Sequence, residues 1–233
     1  DEEAARHLLT VASGLESAVV GEREIAGQVR RALAAAQAKA QEDGVPLPGE
    51  LVQLFEHAAH TARQVGQHTA LGAQGRSIVS VALDLADEVA EKDWSTRRAL
   101  IFGTGAYAGA TIAALRERGC TDIWVNSRSG RAAEFAAKRE VSAVPVDGME
   151  QAMASADVII GCSGGSDPLL PEQIPGGHHT ILDLALSRDF DPSVADLPNV
   201  ELITLESVRL AAPEETEESV ATATRIVESE LAA

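Results

Sequence analysis

The chain has 233 residues, of which 45% are hydrophobic and only 3% aromatic, so it can pack a core of Ala, Val, Leu and Ile and is not a disordered polymer. A formal charge of −17 argues against a free-standing nucleic-acid binder, which normally presents a basic face. The two cysteines, Cys120 and Cys162, support neither a disulfide framework nor a zinc site; the acidic start "DEEAARHLL" is no signal peptide, and no apolar run approaches the roughly 20 residues of a membrane span, so the expectation is a cytoplasmic protein with no membrane segment and no metal.

Residues 1–95 read as helical. In "GEREIAGQVRRALAAAQAKA", Ile25, Val29, Leu33 and Ala36 recur at helical spacing, and "EDGVPLPGE" then breaks the pattern. Leu51, Leu54, Phe55, Ala58, Ala62 and Val65 mark a second amphipathic helix. Ile78, Ala82, Leu85 and Val89 mark a third, entered through "LGAQGRS". From Arg98 short β-rich runs alternate with helical ones. Strands are predicted at "ALIF", "DIWVN", "SAVPV" (weak), "DVIIGC", "TILDLAL" and "VELIT", with helices over Ala106 to Arg118, "RAAEFAAKRE" and "GMEQAMAS". This alternation predicts an α/β fold, a Rossmann-like doubly wound parallel sheet over residues 96–210. The tail, 211–233, reads as an acidic helix with Pro213 in its first turn. The chain begins without Met and ends inside a helical pattern, which suggests a piece of a longer protein.

The chemistry is most legible in Gly103-Thr104-Gly105-Ala106-Tyr107-Ala108, a G-x-G-x-x-A turn between a predicted strand and a predicted helix. Gly103 permits the tight turn, Gly105 leaves room for a pyrophosphate, and Ala108 lets the helix lie close on the strand. The alternative is an ordinary glycine-rich strand–helix turn. An NAD site would place Asp or Glu at the end of the second strand, where this chain has Asn126-Ser127-Arg128. No carboxylate repels a 2′-phosphate there, and Arg128 could pair with it while Asn126 or Ser127 donates, which favours NADPH. The loop "CSGGSDP", with Ser163, follows the fourth strand and could approach the cofactor. Cys162 has no neighbouring His and reads as a small buried residue rather than a nucleophile; Cys120, in a helix–strand turn, reads as structural.

A second stretch, "HLLTVASGLESAVVGEREIAGQVRRAL" from His7 to Leu33, resembles the glutamyl-tRNA reductase family, in which H-L-F-x-V-A-x-G-L-x-S runs into V-x-G-E-x-x-I-x-G-Q-V. The glycine turn is similar to that family's G-A-G-x-M-G, "VNSRS" to its A-N-R-T, and "ILDLALSRDFDP" to its I-D-x-A-x-P-R-D-x-x-P, so the resemblance covers nearly the whole chain. Departures are Glu22-Arg23-Glu24 for the usual E-P-Q, Ser187 for a proline, Ala108 for the third glycine, and "QVGQHTALG" for an Arg-rich segment. The resemblance implies attack of a cysteine thiolate on glutamyl-tRNA, a thioester, and its reduction by NADPH to glutamate-1-semialdehyde, the committed precursor of tetrapyrroles. It makes His7 the histidine important for activity and Ser17, Glu22, Arg23, Glu24 and Gln28 the substrate-contacting positions. It places the nucleophile in a T-C-N-R stretch that this chain does not contain, so that the chain alone is expected to be inactive. It also implies a homodimer formed through a further C-terminal domain, to which the last helix leads, and delivery of the semialdehyde to an aminotransferase. Two other readings fit the glycine turn: a shikimate-dehydrogenase-like NADP oxidoreductase, and a non-catalytic NADP-binding regulatory module. The first calls for a Lys/Asp catalytic pair in the N-terminal part, and none is evident.

Overall fold

The computed structural model describes residues 2–22, 24–71, 77–89, 92–165, 167–212 and 214–232. In chain order it contains helices α1 (Glu2–Ala12), α2 (Glu24–Asp43), α3 (Gly49–His68) and α4 (Ile78–Val89). Then follow β1 (Arg98–Phe102), α5 (Ala106–Glu117), β2 (Asp122–Asn126), α6 (Ala132–Arg139), β3 (Ser142–Ala143), α7 (Met149–Ser155), β4 (Val158–Gly161), β5 (His179–Asp183), β6 (Val200–Thr204), α8 (Leu205–Ala211) and α9 (Glu217–Leu231). Two compact units result: Asp1–Ser77 with Ala212–Ala233, and Ile78–Ala211. None of the described helices is long and apolar enough to cross a membrane.

The helical unit is built from α1, α2, α3 and α9, with α1 packed on α3 and α9. Its core comprises Leu9 and Ala12 of α1, Val29 of α2, Ala58 and Val65 of α3, Leu71, and Ala223 and Val227 of α9. The i, i+4 pair Ala223/Val227 puts one stripe of α9 inward. Thr216 caps this helix by accepting the backbone N–H of Ser219 at 3.2 Å. The helix therefore starts after Thr216 rather than at Pro213, which lies outside the described residues. Glu217 and Glu218 occupy its first turn, where the helix dipole favours carboxylates.

The second unit is a six-stranded parallel sheet of order β3-β2-β1-β4-β5-β6. The four residues Ala99, Leu100, Ile101 and Phe102 of β1 and all of β4 are buried, as strands covered on both faces must be. On one face Leu100, Phe102, Ile159 and Ile181 pack with Ala152 and Met153 of α7 and with Phe190. Helix α4 packs on α5, α8, β5 and β6, so the sheet unit begins at Ile78 and not near residue 96. The predicted third strand shrinks to Ser142–Ala143, because Val146–Gly148 turn into a 3-10 helix after Pro145. Helix α8, directly after β6, is an element that the sequence pattern did not announce.

Candidate functional site

The carboxyl ends of the strands carry the glycine turn. Because β1 pairs with both β2 and β4, the strand order reverses beside it, and ligands of doubly wound sheets bind at that switch point. Gly103 has φ +115°, and a Cβ there would lie 2.8 Å from the Cys162 carbonyl oxygen, so only glycine fits. Its N–H donates to the Asn126 carbonyl at 2.9 Å, which ties the turn to the end of β2. Gly105 precedes α5 with no side chain capping the helix, and a Cβ there would meet nothing within 4 Å. An uncapped helix N-terminus beside open space is the cradle a pyrophosphate needs, so the residues present fit a dinucleotide. Ala108 is fully buried, Thr104 is half-buried, and Ala106 and Tyr107 form the first residues of α5.

At the end of β2, buried Asn126 donates its side-chain amide to the Val144 carbonyl at 3.3 Å and thereby holds the end of β3. Ser127 lies 3.4 Å from the Thr104 hydroxyl and 2.8 Å from that of Ser129, which in turn accepts from Arg131 Nε at 2.9 Å. Arg131 also lines a recess of about 300 Å³ with Thr104, Gly105, Glu134, Phe135, Lys138 and Arg139. The sequence reading did not single out Arg131; its signal is its place at the start of α6, three residues after Arg128. Arg128 itself is directed elsewhere. Its Nη2 donates to the Asp167 carbonyl, in the loop after β4, at 2.5 Å.

That loop is organised by two buried carboxylates. Asp189 accepts the backbone N–H of Ser163 at 2.7 Å and that of Gly165 at 3.4 Å, and also the Ser163 hydroxyl. Ser163 thus turns both its donors inward rather than toward a cofactor. Asp183, at the end of β5, accepts the N–H groups of Ala185, Asp189 and Phe190 at 3.1–3.3 Å. Burial pushes the Asp183 carboxyl up, aided by the Asp189 charge and opposed by those backbone donors. Both residues lie in the "ILDLALSRDFDP" stretch, whose resemblance was visible but whose carboxylate roles were not. Cys162 sits 3.6 Å from the Thr111 hydroxyl, and burial pushes its thiol up to about 12, so it is no thiolate nucleophile near neutral pH. Burial likewise raises Cys120.

In the helical unit, the loop between α1 and α2 is closed by two glycines of the family-like stretch. Gly14 has φ +74° and accepts the Gly21 N–H at 2.9 Å, and a Cβ on Gly14 would lie 3.0 Å from the Glu22 nitrogen. The closed loop brings Ser17 and Glu22 together: the hydroxyl donates to the carboxylate of buried Glu22 at 2.9 Å. His7, exposed on α1, has Nδ1 3.3 Å from Glu16 Oε2. Glu24 and Gln28 lie half-buried on the first turns of α2, and Arg23 lies outside the described residues.

Residues 1–69 match the family model of the glutamyl-tRNA reductase N-terminal domain, and residues 84–211 that of shikimate/quinate 5-dehydrogenase, which gives the sheet unit a nicotinamide-dinucleotide-binding fold. The glutamyl-tRNA reductase of Kocuria rhizophila is 66% identical over 97% of this chain and 51% of its own length. That of Renibacterium salmoninarum is 54% identical over 98% and 52%. The solved glutamyl-tRNA reductase from Methanopyrus kandleri is similar with a TM-score of 0.54 and 26% identity, covering 100% of this chain and 60% of that one. The chain spans about half the length of the curated relatives it matches. With the reductase N-terminal domain followed by the dehydrogenase-type domain in one chain, this protein belongs to the glutamyl-tRNA reductase family.

Proposed function

We propose that the whole protein reduces glutamyl-tRNA to glutamate-1-semialdehyde, with the sheet unit holding NADPH and the helical unit holding the glutamyl group. The observation that carries the reading is the open space beside Gly105 at the uncapped start of α5, in a chain of this family. Gly103 and Gly105 would hold the pyrophosphate, and Ser127, Ser129 and Arg131 the 2′-phosphate, through a charge-assisted fork and hydroxyl donors. Bound NADPH supplies a hydride. Half-buried Ser17 and buried Glu22 offer a hydroxyl and a carboxylate for the substrate's α-ammonium group, with Glu24, Gln28 and Arg23 as further contacts. His7 is exposed, so it can approach the reacting ester and exchange protons there.

A thiolate attacking the ester carbonyl expels the tRNA hydroxyl, and hydride addition to the resulting thioester releases aldehyde and thiolate. Cys120 is buried, Cys162 is half-buried, and desolvation raises both thiols, so this reading takes the nucleophile from outside these 233 residues. The cytoplasm, a homodimer and transfer of the semialdehyde to an aminotransferase belong to the same reading. Titration calorimetry of the 233-residue chain with NADPH and NADH tests the cofactor assignment. A tighter NADPH complex is expected, and binding of neither cofactor overturns it. Semialdehyde production by the chain extended to full length, and none by this chain alone, tests the reaction.

A further inference from the structure

The Arg128 side chain joins two loops that the strand order separates. It begins two residues beyond the end of β2, and its guanidinium lies on the loop after β4, with Nη2 2.5 Å from the Asp167 carbonyl oxygen. Strand β1 lies between β2 and β4, so the glycine turn lies between the two anchorages. The landing is shaped for it: a Cβ on Gly165 would lie 2.9 Å from Arg128 Nη1. The far loop is itself fixed, because Asp189 accepts from the backbone of Ser163 and Gly165, and Ser187 Oγ donates to the Gly164 carbonyl at 3.3 Å.

We infer that Arg128 is a strap across the dinucleotide groove, gripping the pyrophosphate common to NADPH and NADH rather than the 2′-phosphate that distinguishes them. The inference rests on the proposed dinucleotide site. A guanidinium has five donors in a rigid fork, so Arg128 can keep its carbonyl contact and still offer N–H groups to the diphosphate below. The neighbouring cation, Arg131, is held by Ser129 on the β2 side of the groove and is left as the reader of the 2′-phosphate. Gly165 is then a seat for the strap, and the recognition of cofactor type and the grip on its shared part fall to two arginines three residues apart.

Calorimetric titration of the 233-residue chain and three variants with NADPH and with NADH separates the roles. Arg128→Ala is expected to weaken both complexes about tenfold or more, the loss of one charge-assisted contact, with the NADPH-to-NADH preference unchanged within about twofold. Gly165→Ala keeps the charge and does not call for a left-handed backbone, but it fills the seat; weakening of both complexes in the same sense is expected. Arg131→Ala should lower NADPH affinity alone. An Arg128→Ala variant that loses affinity for NADPH only, or for neither cofactor, overturns the strap while leaving the dinucleotide site standing. A parent chain that binds neither overturns both.

Discussion

In the helical unit the stretch from His7 to Gln28 stands on an apolar floor of Leu9, Ala12 and Val29, and its side chains pair with neighbours close in sequence: Ser17 meets Glu22, exposed His7 meets Glu16, and Thr10 donates to the Arg6 carbonyl. In the sheet unit the glycine turn and the loops after β4 and β5 are fixed by the backbone and by carboxylates: Gly103 against Cys162, Asp189 on Ser163 and Gly165, Asp183 on Asp189 and Phe190. The first arrangement is made by local side-chain contacts. The second spends its side chains on shape, so that in the proposed function a cofactor would meet main-chain N–H groups already in place. Damage should therefore reach function through different routes in the two units.

The strongest contrast is expected inside the sheet unit itself. Gly105→Val points its side chain into open space, so NADPH binding should fall by about 100-fold or more while the unfolding midpoint stays near that of the parent. Gly103→Val meets the Cys162 backbone and a φ of +115°, and should in addition cost about 2–5 kcal/mol of stability. Calorimetric titration beside urea unfolding reads both, and equal destabilisation by the two variants would contradict the division between a shape-giving and a space-giving glycine.

Next comes the floor of the helical unit. Leu9 is 1% exposed, and Leu9→Ala should cost about 2–5 kcal/mol in denaturant unfolding. NADPH affinity should be unchanged at protein concentrations and temperatures where the variant is folded. A large loss of affinity in the folded variant would mean that the units do not separate as described.

Asp183→Asn tests the carboxylate logic. Both oxygens accept backbone N–H groups, so an amide NH2 would face a donor, and a loss of about 1–3 kcal/mol is expected. Burial holds the parent carboxyl above its ordinary value, so the folded state binds more protons than the unfolded state across that window. The parent's stability should fall as pH rises from the ordinary carboxylate range through the raised value, and Asp183→Asn should lack that component. Asp157, in the turn just before β4, is the counterexample in the same unit. Burial there raises the carboxyl, but the Lys92 bond at 2.6 Å, the Arg98 N–H and nearby positive charges outweigh it and leave it lowered. Its contribution is present above the ordinary range and lost as pH falls through the lowered value, the opposite slope.

The smallest effect belongs to the helical unit's polar pair. Ser17→Ala removes one hydrogen bond to Glu22 and should cost about 1 kcal/mol or less in thermal unfolding. If the pair serves substrate binding, glutamyl-tRNA turnover by the full-length protein should fall far more than stability does.

The sequence was legible where one residue type has one physical use. Strand–helix alternation from Arg98 gave the parallel sheet, and Gly103 and Gly105 marked their turn. Side chains that choose among partners were not legible. Arg128 could have met a 2′-phosphate at the end of β2, yet a carbonyl from the loop after β4 lies within its reach. Asn126 likewise turned to Val144. Domain edges failed for a related reason: the periodicity of α4 shows an apolar face without saying what covers it, and α8 and β6 do.

The pairing of α1 with α9 bears on the order in which the protein can be made. The sheet unit is one uninterrupted run, Ile78–Ala211, whereas the helical unit is assembled from two segments that flank it in the sequence. Within this stretch α1, α2 and α3 are made before the sheet unit but meet α9 only after it, so of the two units the sheet unit is the first whose described parts are all present. Its own first helix, α4, waits for α8 and β6 within that run. During the interval Leu9, Ala12 and Val65 lack the Ala223 and Val227 that pack with them, so α1 and α3 expose apolar surface to a chaperone until α9 is made.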